Sequence, residues 1–226
     1  MNVRIPDLSL CFTNIYTLDL AAPPNRRHSA KPQPPTVPTS LALQTRVIDA
    51  TNERERASLL ASVGPKQADW HTRFARGCRC VAYTHDSDIV SYCWISFARE
   101  CIGEANCDIV MPPGMAYIWD CATIPTFRGH GLYPALLRQI VAELRDAGLE
   151  RFWIAAVQSN HASQQGIAKA GFRHVATVGY LRIGPWHVHW LRCNPTAPAD
   201  LARLTRSIVC PRVPASNRNP EQIAHR

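Results

Sequence analysis

The sequence predicts an α/β domain whose central sheet is mixed, mostly antiparallel and flanked by helices. Three features lead to this prediction: a strand hairpin in the first half of the chain, a strand–helix–strand–helix order in the second half, and two closing strands. Strands that alternate with helices after an initial hairpin indicate a mixed sheet rather than a β-sandwich or a helix bundle. The 226 residues are enough for one such domain with a sizeable core and terminal extensions.

The chain begins with alternating apolar and polar residues, LSLCFTNIYTLDL at positions 8–20. This alternation predicts a strand with one buried face. Residues 21–40 contain six prolines and no periodicity, which predicts a semi-extended linker. Because a lone strand is not stable, we expect residues 1–20 to contribute a strand that docks on the core at a sheet edge.

The core domain is predicted over residues 41–192. Its first half contains a predicted hairpin of residues 78–83 and 89–98, a loop over 99–114 and a strand over 115–124. Before the hairpin, the pattern predicts one strand and two short helices, in LALQTRVID, NERERASLLASV and PKQADWHTRFARG respectively.

The second half of the core changes to helical spacing. Apolar residues recur every three or four positions from Leu132 to Leu144, which predicts a helix that Gly148 ends. A buried strand over 151–157 comes next, and then a second helix and two strands, in NHASQQGIAKAG, FRHVATVGYLRI and WHVHWLRC. Residues 193–226 are predicted to form a basic, proline-containing tail with a short helix in PADLARLTRSI.

The formal charge of +8 lies mostly in the predicted extensions. Residues 1–42 carry four Lys/Arg against two acids, and residues 193–226 carry five against two. Basic tails can contact nucleic acid or anionic lipid, but a solvated tail explains the charge more simply, so we do not expect a nucleic-acid partner. The sequence leaves a homodimer open.

The location of the protein is predicted from what the sequence lacks. No apolar run approaches the roughly 18 residues of a membrane span, and the first residues lack the apolar stretch of a secretory signal. We therefore expect a cytoplasmic protein with no membrane partner. Its nine cysteines are then expected to be mostly reduced.

The most informative segment is IPTFRGHGLYPALL, residues 124–137, in which a strand meets a helix. Gly129 and Gly131 let a ligand approach the backbone closely, and the free amides and dipole of the helix start favour an anion such as phosphate. Arg128 adds a positive charge. A tight strand–helix turn without a ligand is the alternative. The segment, called the glycine turn below for residues 128–133, has neither the G-x-x-x-x-G-K-[ST] nor the G-x-G-x-x-G pattern.

The glycine turn and a second element together resemble the GNAT superfamily of N-acyltransferases. The family pattern Arg/Gln-x-x-Gly-x-Gly/Ala is matched from Arg128, with Tyr133 in place of the last small residue. The second element is an Asn that opens a helix ending in Gly-Phe, here Asn160 to Phe172. The resemblance covers roughly residues 43–192.

The resemblance implies acetyl-CoA as co-substrate and a sheet that is splayed at the acyl-CoA site, between the strands 115–124 and 151–157. The backbone of Cys121 and Thr123 is expected to contact the pantetheine arm, and Asn160 to lie beside CoA. The amides of the glycine turn are expected to hold the CoA pyrophosphate, and the residues concerned are Gly129, His130, Gly131, Leu132 and Tyr133 together with Arg128.

The catalytic groups are less clear from the sequence. Positions at which relatives carry a tyrosine acid or a glutamate hold Ile167 and Ala155, and the position of a strand carboxylate holds Trp119. The nearest carboxylate is Asp120, which is either a base or amine-binding group, or a structural residue that caps neighbouring amides. Strand alternation places Tyr117, Trp119, Cys121 and Thr123 on one face and Asp120 on the other.

Several further side chains leave two interpretations open. Tyr117 and Trp119 either line an aromatic acceptor site or belong to the core, and Tyr133 either protonates the CoA thiolate or packs on the helix. Cys121 is either a nucleophile or a small packed residue. His187 and His189 either bind a metal or lie on a solvated strand face, and the sequence shows no third ligand.

Two function classes follow from these residues. The first is an N-acetyltransferase that moves an acetyl or other acyl group to an amine of a small molecule or peptide by direct attack. The second is an acyl-CoA-binding regulatory module without catalysis, which the absent tyrosine and glutamate slightly favour. Because direct transfer can proceed without a strong base, the first class stays ahead.

Overall fold

The computed structural model of the chain describes residues 8–20, 42–48, 51, 67–86 and 88–211. Within them, eleven strands and four α-helices are formed. The strands are β1 Leu8–Asp19, β2 Gln44–Ile48, β3 Arg79–His85, β4 Asp88–Ser96, β5 Arg99–Ile102, β6 Cys107–Val110, β7 Met115–Thr123, β8 Arg151–Val157, β9 Arg173–Ile183, β10 Trp186–Cys193 and β11 Val209–Pro211. The α-helices are α1 Gln67–Ala75, α2 Leu132–Asp146, α3 His161–Lys169 and α4 Ala199–Ile208, and short 3-10 helices span Gly103–Ala105 and Pro125–Phe127.

The main sheet has eight strands in the order β10-β9-β1-β8-β7-β4-β3-β2. Its neighbouring strands are antiparallel except for β7 and β8, which run parallel. One face packs on α2 and α3, whose side chains Leu136, Ile140 and Ile167 are fully buried there. The other face packs on a second sheet and α4 at one side and on α1 at the other. The predicted fold class, a mixed and mostly antiparallel sheet flanked by helices, is confirmed.

The N-terminal strand lies inside the sheet, not at the edge that its sequence pattern predicted. β1 pairs with β8 from Thr13 to Asp19 and with β9 from Leu8 to Thr17. The five residues Thr13–Thr17 are all buried, because both faces of this part of the sheet are covered. Alternation suggested a single buried face since Thr13 and Thr17 are polar, yet Thr17 is fully buried and donates a hydrogen bond to the carbonyl of Phe152.

A second sheet of three strands, in the order β11-β6-β5, packs on the face opposite α2. Its strands β5 and β6 occupy the segment 99–114, which the sequence predicted to be a loop. Its third strand β11 and the helix α4 occupy part of the predicted C-terminal tail, and Leu201 and Ile208 of α4 are buried in the core. These strands have only three or four residues each, too few to show a periodic pattern.

Two further predicted elements, the hairpin and the first helix after the glycine turn, are present in the structure. The hairpin forms as β3 and β4, and the helical spacing from Leu132 corresponds to α2. The predicted linker 21–40 and the predicted helix NERERASLLASV lie outside the described residues. No helix in the described part of the chain is long and apolar enough to cross a membrane.

The interior position of β1 predicts a large effect of truncating its central side chain. Ile15 is fully buried between β8 and β9, so Ile15→Ala should lower the free energy of unfolding by about 2–5 kcal/mol. Val47 on β2 is a matched control because it is an apolar strand residue that is 41% exposed, and Val47→Ala should cost less than about 0.5 kcal/mol. Urea unfolding measures both, and equal small losses would contradict the interior placement.

Candidate functional site

The two parallel strands of the main sheet separate partway along their length. Pairing of β7 with β8 runs from Met115 opposite Arg151 to Ile118 opposite Ile154 and then ends. Beyond this point β7 stays paired with β4 up to Thr123, and β8 stays paired with β1 up to Val157. A V-shaped opening therefore lies between the ends of β7 and β8, at the position where the sequence predicted a splay.

A β-bulge in β7 lies at the mouth of this opening. Asp120 has φ 41°, in the left-handed region that aspartate tolerates better than most residues. The register between β4 and β7 shifts at the bulge, so that Asp120 and Cys121 together lie opposite Cys93.

The bulge corrects the predicted alternation of β7. Cys121 packs with Ile118 on the side of α2, whereas Tyr117 and Trp119 pack on the opposite side. Because the bulge adds one residue, each later side chain of β7 lies on the face opposite to the one that simple alternation predicts. The signal available in the sequence was an aspartate in the middle of an apolar strand, because bulges often carry a residue that accepts positive φ.

The glycine turn connects β7 to α2 and presents its backbone to solvent. Gly129 and Gly131 have φ 82° and 73°, and α2 begins at Leu132. In the first hydrogen bond of α2, the amide of Ala135 donates to the carbonyl of Gly131 at 3.2 Å. Within the described residues, no acceptor satisfies the amides of residues 129–133, so they are available to an anion.

The side chains of the turn take separate positions. Leu132 is buried in the core beneath α2, so only its backbone can face a ligand. Arg128 is exposed, and its Nε donates a 3.0 Å hydrogen bond to the carbonyl of Thr123. The Thr123 hydroxyl lies 2.9 Å from that of Ser91. His130 is exposed.

A cavity of about 550 Å³ occupies the opening between β7 and β8, within the usual size of small-molecule sites. At one end its lining includes Cys121, Tyr133, Asn160 and Ser163. At the other end the lining includes Arg73, Glu100, Glu104, Tyr117, Trp119 and Asp120. The cavity thus joins the neighbourhood of the glycine turn to the face of the sheet that carries α1 and the second sheet.

Tyr133 reaches across from α2 to α3 at the first end of the cavity. Its hydroxyl lies 3.3 Å from the hydroxyl of Ser163, and its ring rests on Gly166, where an added Cβ would lie 2.4 Å from the ring carbon Cδ1. Burial raises the pKa of Tyr133 well above its usual range, and the nearby thiol of Cys121 raises it further. Tyr133 therefore keeps its proton at neutral pH and can act as a hydrogen-bond donor.

Asn160 begins α3 beside Tyr133. Its side-chain oxygen Oδ1 accepts a 3.0 Å hydrogen bond from the amide of Ser163 and so caps the helix. The helix start and the Asn160 side chain both line the cavity. The sequence identified Asn160 from its motif but gave no signal for Ser163.

Asp120 at the second end of the cavity forms an ion pair with Arg73 of α1. The Arg73 guanidinium lies against two neighbouring indole rings, 5.0 Å from the centroid of Trp94 and 4.5 Å from that of Trp119. These cation–π contacts and the ion pair hold the guanidinium in one place. Arg73 was not a predicted site residue, because it lies 47 positions before Asp120 in the sequence. Only the tertiary structure brings the two side chains into contact.

The same end contains a buried carboxylate and a buried phenol. Glu100 is 4% exposed and accepts a 3.0 Å hydrogen bond from Nη2 of Arg76 and another from the amide of Cys101. Tyr117 is 3% exposed, and burial raises its pKa, with a smaller contribution from the carboxylate of Glu104. Tyr117 lies in the core and also lines the cavity.

His187 and His189 lie on β10, outside the cavity lining. His189 contacts the carbonyl of Asn106 at 2.9 Å, and both imidazoles stack near Tyr180. No cluster of three or more His, Cys, Asp or Glu side chains suited to a metal ion is present among residues that the structure describes.

The sequence of this chain matches the model of a known protein family. The sequence model of the acetyltransferase (GNAT) family matches residues 45–172, which include the glycine turn, the splayed strands and α3. No curated protein matches the chain.

Comparison with solved structures gives the same fold. The GCN5-related N-acetyltransferase from Sphaerobacter thermophilus aligns with a TM-score of 0.50 and 12% identity over 81% of this chain and 52% of its own. A GNAT-family acetyltransferase from Novosphingobium aromaticivorans aligns with a TM-score of 0.46 and 15% identity over 78% of this chain and 65% of its own. The chain thus spans about half to two thirds of the length of these two proteins.

The contact between Tyr133 and Gly166 predicts a non-additive pair of substitutions. Gly166→Ala should lower the free energy of unfolding by about 1–3 kcal/mol, because the new Cβ overlaps the Tyr133 ring. In a Tyr133→Ala background the ring is absent, and the same substitution should be neutral or stabilising by up to about 1 kcal/mol, as expected for Gly to Ala in a helix. Urea unfolding of the four proteins measures the coupling.

A control for this cycle is available at Gly103, where an added Cβ meets no atom within 4 Å. Gly103→Ala should change stability little, whether or not Tyr133 is present. Additive effects of Gly166→Ala and Tyr133→Ala would show that the ring does not rest on the glycine.

Proposed function

Since this chain belongs to the GNAT acetyltransferase family, we propose that it is an N-acetyltransferase that moves an acetyl or other acyl group from acyl-CoA to an amine of a small molecule or peptide. The observation that carries the proposal is the opening between β7 and β8, which has an amide-lined turn at one end and a carboxylate at the other. One cavity then serves both the donor and the acceptor.

We propose that the glycine turn binds the pyrophosphate of CoA. The unpaired amides of residues 129–133 and the positive end of the α2 dipole offer donors to phosphate oxygens. Gly129 and Gly131 hold the backbone in left-handed conformations that point successive amides outward. Arg128, which is exposed beside the turn, adds a positive charge that favours binding of the phosphates.

The pantetheine arm is proposed to lie in the opening between β7 and β8. The strands have no partner for each other beyond Ile118 and Ile154, so the backbone of Cys121 and Thr123 can pair with the amides of an extended arm. This position directs the thioester toward Tyr133 and Asn160, which line the same part of the cavity.

The proposed reaction is direct attack of a neutral amine on the thioester carbonyl. A C–N bond forms and the C–S bond breaks. The amine nitrogen gives up one proton to a base or to water, and the departing thiolate must receive one. Tyr133 is proposed to donate it, because its hydroxyl lies beside Cys121 in the part of the cavity to which the arm would bring the thioester. This tyrosine comes from α2, whereas the family position for such an acid on α3 holds Ile167, which is fully buried.

Asp120 is proposed to bind the acceptor amine or take up its proton. Oδ2 of the carboxylate is engaged with Arg73, which leaves the other oxygen free to accept a hydrogen bond from an ammonium group. Tyr117 and Trp119 form the walls next to it. A carboxylate fixed by a clamped guanidinium loses little entropy when an amine binds, which favours positioning.

Binding of CoA through backbone amides predicts which substitutions remove it. Gly131→Val should abolish CoA binding in titration calorimetry, because the side chain would enter the open space in front of the amides, where the phosphate is proposed to bind, and left-handed backbone is strained for valine. His130→Ala should leave the affinity within about threefold. Gly148→Val is the matched control, since Gly148 also has positive φ, 90°, but lies at the other end of α2.

The Gly148→Val protein should lose about as much melting temperature as the Gly131→Val protein, but it should keep its CoA affinity. Loss of binding in both valine variants would mean that backbone strain, not the turn, explains the result. An equal loss in His130→Ala would mean that side chains carry the site.

Acyl transfer predicts release of CoA thiol when the protein is mixed with acetyl-CoA and a suitable amine. Tyr133→Phe should lower kcat on the order of a hundredfold while CoA affinity is kept, because phenylalanine cannot donate a proton. Asp120→Asn should lower kcat/KM for the amine by a similar factor. Tyr180→Phe on β9, outside the cavity lining, is the control and should have normal turnover.

The regulatory alternative gives a different pattern in this assay. A regulatory module would bind CoA tightly but release no thiol with any amine of a panel. Tyr133→Phe and Asp120→Asn would then have no effect on thiol release. Normal turnover of Asp120→Asn with a lower melting temperature would assign Asp120 a structural role in the bulge.

A further inference from the structure

One end of the main sheet carries a large apolar face that no described element covers. It belongs to the three-stranded arm formed by residues 8–12 of β1, 179–183 of β9 and 186–190 of β10. Among the described residues nine large apolar side chains are exposed, and six of them lie on this face. These six are Leu8, Leu10, Ile183, Trp186, Val188 and Trp190, with exposures of 65%, 56%, 43%, 78%, 57% and 40%.

The strand register arranges this arm face in three rungs across the arm. Ile183 of β9 pairs with Leu8 on one side and Trp186 on the other, and Leu181 pairs in the same way with Leu10 and Val188. In the third rung Gly179 lies between Phe12 and Trp190. The arm face therefore has no charged side chain in any rung.

Glycine at position 179 lets the third rung lie flat. The Trp190 indole rests on this glycine, where an added Cβ would lie 2.0 Å from ring carbon Cε2. The same indole meets the Phe12 ring edge-on, with centroids 5.8 Å apart. A tryptophan held flat over a glycine gives a smooth and preformed apolar surface, and surfaces of this kind are typical of the centre of protein interfaces.

The apolar area of the arm face is that of a standard dimer interface. Full burial of a tryptophan removes about 150–250 Å² of surface from water. Full burial of an aliphatic side chain removes roughly 60–120 Å². Weighted by the exposed fractions, the six side chains present on the order of 500 Å² of apolar area. A stable interface of about 800 Å² per partner, about 60% apolar, needs nearly the same amount.

The undescribed segments of this chain carry few large apolar side chains that could cover the arm face. Residues 1–7 contain Met1, Val3 and Ile5, residues 21–41 contain Val37 and Leu41, and residues 212–226 contain Val213 and Ile223. Residues 49–66 follow β2, which lies at the opposite end of the eight-stranded sheet from β10. None of these segments contains an aromatic residue to pack against the two tryptophans.

We propose that the arm face is the interface of a homodimer, with the arm of a second copy stacked on it about a two-fold axis. A two-fold axis places the same patch on both partners, so an uncharged face meets an uncharged face of equal width. The apolar side chains of the edge strand β10 are then buried in a closed pair instead of being exposed to other molecules. The proposal does not depend on the proposed acyl transfer, since no residue of the arm face belongs to the glycine turn.

Sedimentation velocity between 1 and 100 μM tests the dimer with the full-length protein. The wild type should sediment as a dimer, and Trp186→Glu combined with Val188→Glu should weaken dimerisation at least 100-fold, because four charges would be buried without partners in the dimer. Both side chains are exposed, so the fold should be kept, and circular dichroism with CoA titration checks this. Val47→Glu, an exposed apolar position on β2, is the control and should remain dimeric.

Leu10→Lys on β1 is a second, independent probe and should also produce monomers, which keeps the test decisive if the double variant misfolds. A wild type that is monomeric at 100 μM would overturn the proposal, as would a dimer that survives both sets of substitutions. Binding of the monomeric wild type to anionic lipid vesicles would overturn it too, and would assign the arm face to a membrane surface.

Discussion

The separation of β7 from β8 after Ile118 and Ile154 is the constraint on which the rest of the structure depends. Each strand leaves its parallel partner because another strand holds it on the other side, β4 for β7 and β1 for β8. The unpaired backbone between them would be costly if it were dry. It is instead exposed to a cavity, and an extended ligand can supply the missing hydrogen bonds there.

The position of β1 explains why this separation can be stable. The strand pairs with β8 along seven residues and with β9 along ten, so β8 keeps a full partner on the side away from the opening. The ion pair between Arg151 and Asp19 links the same two strands where β7 and β8 are still together. The N-terminal segment thus serves as an interior strand of the fold and not as an appendage, although a proline-rich linker separates it from β2.

The second element that organises the site is the cluster around Asp120. Asp120, whose backbone is in the left-handed region, forms a bulge in β7. At this bulge Cys121 packs on the side of α2, and Trp119 packs on the side of α1. Arg73 then bridges the carboxylate of Asp120 and the faces of Trp94 and Trp119. One local distortion therefore joins the acyl-donor side of the cavity to the acceptor side and fixes the carboxylate that is proposed to meet the amine.

The sequence by itself determined the features that depend on neighbouring residues. Strand and helix patterns, including the helical spacing from Leu132, gave the fold class, and paired glycines after a strand gave the glycine turn, because local pattern and backbone chemistry decide them. The splay of the sheet and the place of Asn160 beside it were implied by the resemblance to a family. Tertiary structure alone decided the interior place of β1, the strands in 99–114, the bulge at Asp120 and the meeting of Arg73 with it. Residues far apart in the chain make these features. The alternation in β1 indicated one buried face, whereas Thr13–Thr17 are buried on both faces because elements distant in the sequence cover both sides of the sheet.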